Sequence, residues 1–155
     1  MTLFEIDIRN SSPKRLPLTQ IRKRTAQILD HFKLKRAFIS LLCVSERKMK
    51  RFNKQFFNRH ETTDVIAMGQ AASARRKVRK RIELTGDMIL CPKQIQLQAK
   101  DWETSFDYEL VFCICHGILH MLGHTDETAA KRAKMHRMQK QILKRIGIRN
   151  SLWQF

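Results

Sequence analysis

The 155-residue chain has little glycine and proline, with 5 and 3 residues, and it has no long apolar run. This scarcity argues against collagen-like and low-complexity sequence, while an apolar content of 43% argues against disorder. The longest apolar stretch, residues 110–115, is far shorter than the roughly 20 residues of a membrane-spanning helix. The N-terminal residues alternate between apolar and polar or acidic side chains, which is not typical of a signal peptide. We therefore expect a folded protein without a membrane segment.

Acidic residues are also scarce. The chain has 14 Asp and Glu against 31 Lys and Arg, which gives a net charge of +17 at pH 7. Such an excess favours a polyanionic partner and says little about the fold. Nucleic acid is the commonest partner of this kind, and a membrane surface is the weaker alternative. The third interpretation is a solvated basic surface that binds nothing specific.

No pair of cysteines has the Cys-x-x-Cys spacing of a zinc knuckle or a redox motif. The four cysteines are Cys43, Cys91, Cys113 and Cys115, and each lies in or beside an apolar run. This placement predicts buried, reduced thiols, as expected for a cytoplasmic protein.

Hydrophobic periodicity predicts alternating strands and helices. Strands are predicted at residues 4–8, 37–44, 65–68 and 84–91. Helices are predicted from about residue 18 to 32, 45 to 57, 92 to 99, 104 to 122 and 128 to 146. We find no internal repeat and no linker, so the sequence predicts a small sheet flanked by helices, of the α/β or α+β class.

The predicted helix that ends near residue 122 is apolar almost all round, which indicates a central, buried element. It also carries His116 and His120, whose spacing of four places both imidazoles on one face, about one turn apart. Two such nitrogens can reach one metal ion at about 2.0–2.1 Å. The alternative is that these are core histidines followed by a helix cap.

The third ligand is not fixed by spacing alone. In a continuous helix, His124 would lie about 12 Å along the axis from His116, too far for a shared ion. Gly123 instead allows the chain to turn in a left-handed conformation. A residue beyond the turn can then fold back, which makes Asp126 the better candidate by spacing. His124 is the alternative if the turn is tight.

Several motifs occur together in this chain. The stretch from His116 to Gly123 reads His-Gly-x-Leu-His-x-x-Gly. Before it come Asn53, Arg59, Thr63-Asp64-Val65 and Gly86-Asp87-Met88-Ile89. In order and spacing these motifs resemble the YbeY family of zinc-dependent, single-strand endoribonucleases, over about residues 40 to 130.

The resemblance implies a metal-dependent endoribonuclease that acts in 16S ribosomal RNA processing and ribosome quality control. It implies one Zn²⁺ per chain, ribosomal RNA precursors as substrate, and ribosomal proteins or the small subunit as further partners. It also implies an α+β, zincin-like fold, with a small mixed β-sheet flanked by helices and a central buried helix that carries the metal ligands. We expect one YbeY-like domain over residues 1–155, with a basic loop at 70–82 and a basic C-terminal helix and tail at 128–155.

The chain departs from the family pattern at two places. Family members usually read Gly-Tyr-Asp-His where this chain has Gly-His-Thr-Asp, so Asp126 occupies the position of the third histidine. A carboxylate is an acceptable zinc ligand, but the added charge could move the preference toward iron or manganese. Residues 65–69 read Val-Ile-Ala-Met-Gly in place of Val-Leu-Ser-Phe-Pro, which changes the expected substrate groove.

Three protein ligands would leave a coordination position open for water, as catalytic zinc requires. Arg59 is expected to bind the scissile phosphate through its planar guanidinium, the alternative being a surface salt bridge. Asp87 is expected either to accept from a ligand imidazole or to cap a turn. Gly117 stands where His-Glu-x-x-His peptidases carry their general base, so a metallopeptidase is the least favoured function.

Basic side chains are concentrated in two segments. The first holds Arg75, Arg76, Lys77, Arg79, Lys80 and Arg81, and the second, from residue 128 onward, contains no acidic residue. Both are expected to attract RNA phosphates, although the helical part of the second could equally be a solvated face. Few aromatic residues interleave these cations, so no stacking platform is predicted there. The main alternative function is a non-catalytic RNA-binding assembly factor with a structural metal.

Overall fold

The computed structural model describes residues 2–72 and 83–150. These residues form four strands and five helices. The strands are β1 (Leu3–Asn10), β2 (Arg36–Cys43), β3 (Val65–Ala72) and β4 (Glu83–Leu90). The helices are α1 (Leu18–His31), α2 (Glu46–Phe57), α3 (Pro92–Asp101), α4 (Phe106–Met121) and α5 (Ala129–Arg145).

The strands form one mixed sheet in the order β1-β2-β4-β3. β1, β2 and β4 are parallel, whereas β3 runs antiparallel to β4 at the edge. This confirms the small mixed sheet flanked by helices. The apolar residues of β2 alternate between the faces: Ala37, Ile39 and Leu41 are buried, and Phe38 is partly exposed on the opposite face.

α4 is the central helix. It contacts β3 and β4 of the sheet and packs against α1, α3 and α5. Ten of its sixteen residues are buried, which explains why its sequence is apolar on nearly every side. A smaller cluster that includes Val44, Met49 and Ile89 lies apart from the main core, with Met49 supplied by α2.

The end of α4 is set by a left-handed glycine. Gly123 has φ +99°. Its N–H donates to the carbonyl of His120, and the N–H of His124 donates to the carbonyl of Leu119, both at 3.0 Å. This pair of bonds is a Schellman motif, which ends a helix and reverses the chain. The predicted stop at Gly123 is confirmed.

The predicted elements are confirmed, with small shifts at their ends. β3 continues to Ala72, beyond the predicted end at residue 68, and α4 begins at Phe106 with the hydroxyl of Ser105 as its cap. All four cysteines are free and buried, as predicted. Within residues 2–72 and 83–150, no helix is both long and apolar enough to cross a bilayer. The predicted basic cluster at 75–81 lies outside the described residues.

Candidate metal centre

Three potential metal-binding side chains converge at the C-terminal end of α4. The Nε2 atoms of His116 and His120 are 2.9 Å apart. Oδ2 of Asp126 lies 3.4 Å from the first nitrogen and 3.5 Å from the second. Among the described residues, this is the group of histidine, cysteine and acidic side chains whose donor atoms approach closely enough to share one ion.

Helix geometry and the turn after α4 together build this group. The spacing of four places the two imidazoles on one face, with ring centroids 4.5 Å apart. The Schellman turn then reverses the chain, so that Asp126 returns to the two rings. His124 contributes its backbone carbonyl, which lies 3.0 Å from Nδ1 of His120. The structure thus brings the predicted Asp126 to the histidines, whereas the ring of His124 is not part of the group.

The second nitrogen of each imidazole meets an acceptor. Nδ1 of His116 lies 3.0 Å from Oε1 of Gln139, a fully buried residue of α5. The amide of Gln139 is oriented by its own Nε2, which donates to the carbonyl of Phe112 at 3.0 Å. Since a carbonyl oxygen only accepts, both Nδ1 atoms must carry the hydrogen. A neutral ring that carries its hydrogen on Nδ1 has a bare lone pair on Nε2, and both Nε2 atoms face the centre of the group.

This donor set fits a metal ion. Two imidazole lone pairs and a carboxylate oxygen face one another within 3.5 Å. Such an arrangement is mutually repulsive unless a proton or a metal ion lies among the three atoms. Two imidazoles and one carboxylate are also a known ligand set of catalytic zinc, and hydrogen bonds from the distal imidazole nitrogens are typical of metal-bound histidine.

The group opens into a cleft of about 680 Å³ beside the edge strand. Val65 and Ala67 of β3 form part of one side, and residues of α3, α4 and α5 form the rest. Residues at intervals of four on α4 line this cleft: Tyr108, Phe112, His116 and His120. The cleft therefore has an aromatic end and a metal-binding end on the same helix face.

The aromatic end also contains two acidic side chains, Asp64 and Glu109. Burial raises the pKa of Glu109, and the negative charge of Asp64 adds to the effect, while a 2.8 Å hydrogen bond from the Thr104 hydroxyl opposes it. The thiol of Cys113 donates to Oδ2 of Asp64 at 3.4 Å. Burial and the neighbouring Asp64 raise the pKa of this thiol well above its ordinary value.

His136 of α5 also lines the cleft. Its ring centroid is 5.8 Å from that of Phe112 and 6.3 Å from that of His116. Burial, and to a smaller extent His116 and Lys140, lower the pKa of His136. The sequence suggested only a surface or core residue, because position 136 has no partner at metal-binding spacing.

Arg59 lies in the loop after α2, where its side chain is exposed. The loop is held by a 2.7 Å hydrogen bond from the side-chain amide of Asn53 to the carbonyl of Glu61. Thr63, Asp64 and Val65, which follow Arg59 by four to six residues, line the cleft, whereas Arg59 itself is not among the residues that line it. The structure thus places this arginine near the chain segment that enters the cleft.

Asp87 does not take the role of an imidazole acceptor. It lies on β4, where it accepts a 2.5 Å hydrogen bond from the hydroxyl of Ser40 on the neighbouring strand. The alternation of β4 turns its neighbours Gly86 and Met88 toward α4 and turns Asp87 to the other face. Gln139 and the carbonyl of His124 meet the imidazoles instead, which corrects this prediction.

Of the predicted basic residues, those from 75 to 81 lie outside the described residues, whereas α5 is described in full. The cations of α5 are exposed, and one of them, Lys140, lines the cleft. The sequence analysis missed Gln139 and the aromatic residues at 108 and 112. Two signals could have revealed them: a glutamine within the apolar stripe of α5, and the spacing of four that continues backward from His116.

The fold and the group together define a class. The described residues form a mixed α/β protein in which three candidate metal-binding side chains lie in an open cleft, and catalytic metal sites, unlike closed structural ones, keep such an open position. Comparison with known proteins then gives the family. The family profile described as Endoribonuclease YbeY matches residues 6–147, most of the chain, and the chain belongs to this family.

Similar proteins agree with this assignment. An Endoribonuclease YbeY of Bartonella bacilliformis is 31% identical over 72% of this chain and 70% of its own length. Another, from Endomicrobium trichonymphae, is 27% identical over 90% of this chain and 91% of its own length. The fold is similar to the solution structure of a Thermotoga maritima protein, with a TM-score of 0.54 and 18% identity over 92% of this chain and 91% of that chain.

Proposed function

We propose that this protein is a metal-dependent endoribonuclease that hydrolyses phosphodiester bonds of ribosomal RNA precursors. The observation that carries the proposal is the convergence of His116, His120 and Asp126 in a cleft of a chain with net charge +17. Membership of the YbeY family supports the reaction class. The proposal extends to 16S rRNA maturation and ribosome quality control in the cytoplasm, with ribosomal proteins or the small subunit as partners.

His116, His120 and Asp126 would hold one Zn²⁺ per chain. Bound zinc lowers the pKa of a coordinated water to about 7 and polarises a phosphoryl oxygen. Gln139 and the carbonyl of His124 orient the two imidazoles, so that both Nε2 lone pairs face the cleft. Lys140 at the cleft wall attracts the RNA backbone. The helix that carries the histidines, packed beside an antiparallel edge strand, supports a zincin-like classification.

Arg59 is proposed to bind the scissile phosphate. Its exposed guanidinium lies on an anchored loop that leads directly into the cleft wall. A guanidinium binds phosphate through two parallel hydrogen bonds, which a single ammonium group does not reproduce. We expect Arg59→Lys to retain part of the activity and Arg59→Ala to retain less. Unchanged cleavage rates and RNA affinity in Arg59→Ala would contradict this role.

Asp126 affects which metal ion the site prefers. Its carboxylate lowers the net charge of the site by one relative to a third histidine, and oxygen ligands suit iron and manganese as well as zinc. We expect Asp126→His to shift the order of affinities toward zinc over manganese. Equilibrium titration of the metal-free protein with each ion measures this order without any activity assay.

The surroundings of Gly117 argue against a peptidase function. A side chain there would meet Met88 within 2.9 Å and Ala67 at 3.4 Å, so it would point at the sheet. A general base beside the first histidine therefore has no place in this chain.

The experiment that tests the proposal is cleavage of a single-stranded ribosomal RNA fragment by the purified protein. Wild type is compared with chelator-treated wild type, with His116→Ala, and with His60→Ala as a matched control at an exposed histidine outside the cleft. We expect cleavage by wild type and His60→Ala only. Equal cleavage in all samples would indicate a contaminating nuclease. Tight, salt-sensitive binding without cleavage would instead favour the non-catalytic assembly factor.

The domain boundaries also belong to this proposal. We propose a single catalytic domain over residues 1–155, in which the basic segments at 70–82 and 128–155 bind RNA phosphates. The exposed cations of α5 support the second segment.

A further inference from the structure

The aromatic end of the cleft has a geometry of its own. The rings of Tyr108 and Phe112 are stacked, with centroids 6.0 Å apart and planes 19° apart. His136 extends the row beyond Phe112, and Trp102, 67% exposed, lies at the same cleft. Neither Tyr108 nor Phe112 is fully buried. These rings are therefore accessible from the cleft that contains the metal-binding group.

We propose that Tyr108 and Phe112 form a nucleobase-binding subsite, on which an unpaired base of the substrate stacks while the adjoining phosphate lies at the His116–His120 end. This inference rests on the proposed function, because it concerns the same cleft and assumes an RNA ligand. Aromatic side chains bind unpaired bases through their π faces, independently of sequence. One helix face thereby sets the distance between base and metal.

Charge determines which part of a nucleotide enters which end. Asp64 and Glu109 line the aromatic end, and their negative charge repels a phosphate. A neutral base carries no such penalty, and its exocyclic amino groups can donate to carboxylate oxygens. The cationic side chain of the cleft wall, Lys140, is on α5. The histidine end carries the carboxylate of Asp126, whose charge the divalent ion of the proposed function would outweigh. With that ion bound, a base at the aromatic end and a phosphate at the histidine end is the orientation that the cleft favours.

The test separates stacking from mere packing by paired variants. Phe112→Leu and Tyr108→Leu keep apolar bulk but remove the aromatic face, whereas Phe112→Tyr and Tyr108→Phe retain it. Phe38→Leu is the matched control, because Phe38 is a partly exposed aromatic on the other face of the sheet. Thermal unfolding of each variant verifies that it is folded.

Two readouts are measured. The first is kcat and KM for a short single-stranded RNA. The second is quenching of a 2-aminopurine base in the same RNA by chelator-treated protein, in which the RNA stays intact. We expect each Leu variant to raise KM about five- to 150-fold and to weaken the quenching, since stacking on one ring contributes about 1–3 kcal/mol per base. Phe112→Tyr and Tyr108→Phe should lose less affinity and less quenching than the Leu variants, and the Phe38→Leu control should resemble wild type.

The outcomes are distinguishable from failure of the proposed function. Cleavage by wild type with unchanged KM and quenching in both Leu variants would overturn the subsite alone. A fall in kcat without a change in KM or quenching would do the same, because it indicates a packing role. Aromatic-dependent quenching without any cleavage would support the subsite and reject the nuclease. Neither cleavage nor quenching would overturn both.

Discussion

The buried side-chain amide of Gln139 orients the imidazole of His116. Gln139 is fully buried, accepts from Nδ1 of His116 and donates to the carbonyl of Phe112. Because its two polar ends are both engaged, it cannot rotate without losing two hydrogen bonds. It therefore holds the imidazole in the tautomer that presents Nε2 to the cleft.

The first prediction concerns this residue. Gln139→Leu should lower metal affinity about 10- to 100-fold, because partners of ligating histidines contribute that much. Gln139→Glu keeps an acceptor at Nδ1 and should lose less. Competition with a chromophoric chelator measures the affinity, and the ¹⁵N shifts of His116 report its tautomer. Equal affinity in Gln139→Leu and wild type would show that the amide only fills space.

The buried thiols lead to a prediction about pH. Burial, with a smaller contribution from Cys91, raises the pKa of Cys43 from 9.0 to about 11, and burial raises that of Cys115 to about 12. The folded state thus favours the protonated thiol. This contribution to stability is complete below the unfolded pKa near 9 and is lost as the pH rises toward 11.

We accordingly expect the free energy of unfolding to fall between about pH 9 and pH 11, and Cys43→Ala or Cys115→Ala to flatten that fall. Urea denaturation across this range measures it. A thiol reagent at pH 7 should react slowly with the native protein and readily after unfolding. Rapid labelling of the native state would contradict the assigned burial.

At the scale of elements, the contact between α4 and the sheet depends on two glycines. A Cβ at Gly86 would lie 2.6 Å from Sδ of Met121 and 2.7 Å from the carbonyl oxygen of Met68, which is backbone. A Cβ at Gly117 would meet Cε of Met88, the end of a flexible side chain. An added methyl group is therefore accommodated more easily at Gly117 of α4 than at Gly86 of β4.

Gly86→Ala should destabilise the fold by about 2–3 kcal/mol, because β3 must move. Gly117→Ala should cost about 1 kcal/mol or less, since alanine favours a helix by about that amount over glycine and Met88 can adopt another rotamer. Urea denaturation of the two variants gives the comparison. Equal losses would show that Met88 is as rigid as the backbone of β3.

The sequence predicted the elements well because each has a strong local signal. The alternation in β1, the Ser45 and Ser105 caps and the glycine at 123 are all local features, and the structure contains each of them. The pair of histidines on α4 is local too. Asp126 was predicted because a turn brings a near neighbour back, which requires no knowledge of the rest of the fold.

The remaining features depend on contacts between distant segments. Gln139 reaches His116 from another helix, so no spacing within α4 indicates it. The sequence left two roles open for Asp87, because a carboxylate on a strand has two possible faces, and only the packing of α4 against Gly86 and Met88 leaves Asp87 on the other face, where it accepts from Ser40. The aromatic row of Tyr108 and Phe112 could not be predicted, because both residues lie among apolar residues that also suit a core helix.

At the scale of the whole molecule, charge is unevenly distributed with respect to the cleft. Acidic side chains lie inside it, at Asp64, Glu109 and Asp126, whereas the cations of α5 are exposed around Lys140. An RNA backbone is therefore attracted to the surface, and a positive ion is attracted to the interior. The two proposed functions, binding of substrate and of metal, would thus use opposite charges within one small protein.

The last prediction tests which cations bind RNA. Affinity should fall with salt by about 0.7 log units per phosphate contact per log unit of salt for a single strand. Replacing Arg79, Lys80 and Arg81 with glutamine should reduce that slope by about 2, because three contacts are lost. The matched variant replaces Arg47, Lys48 and Arg51, exposed cations of α2, and removes the same charge. Fluorescence anisotropy at several salt concentrations measures both.

If the two variants lower the slope equally, overall charge and not the basic cluster governs binding. If neither lowers it, the RNA backbone is held elsewhere, with the cations of α5 as the next set to replace.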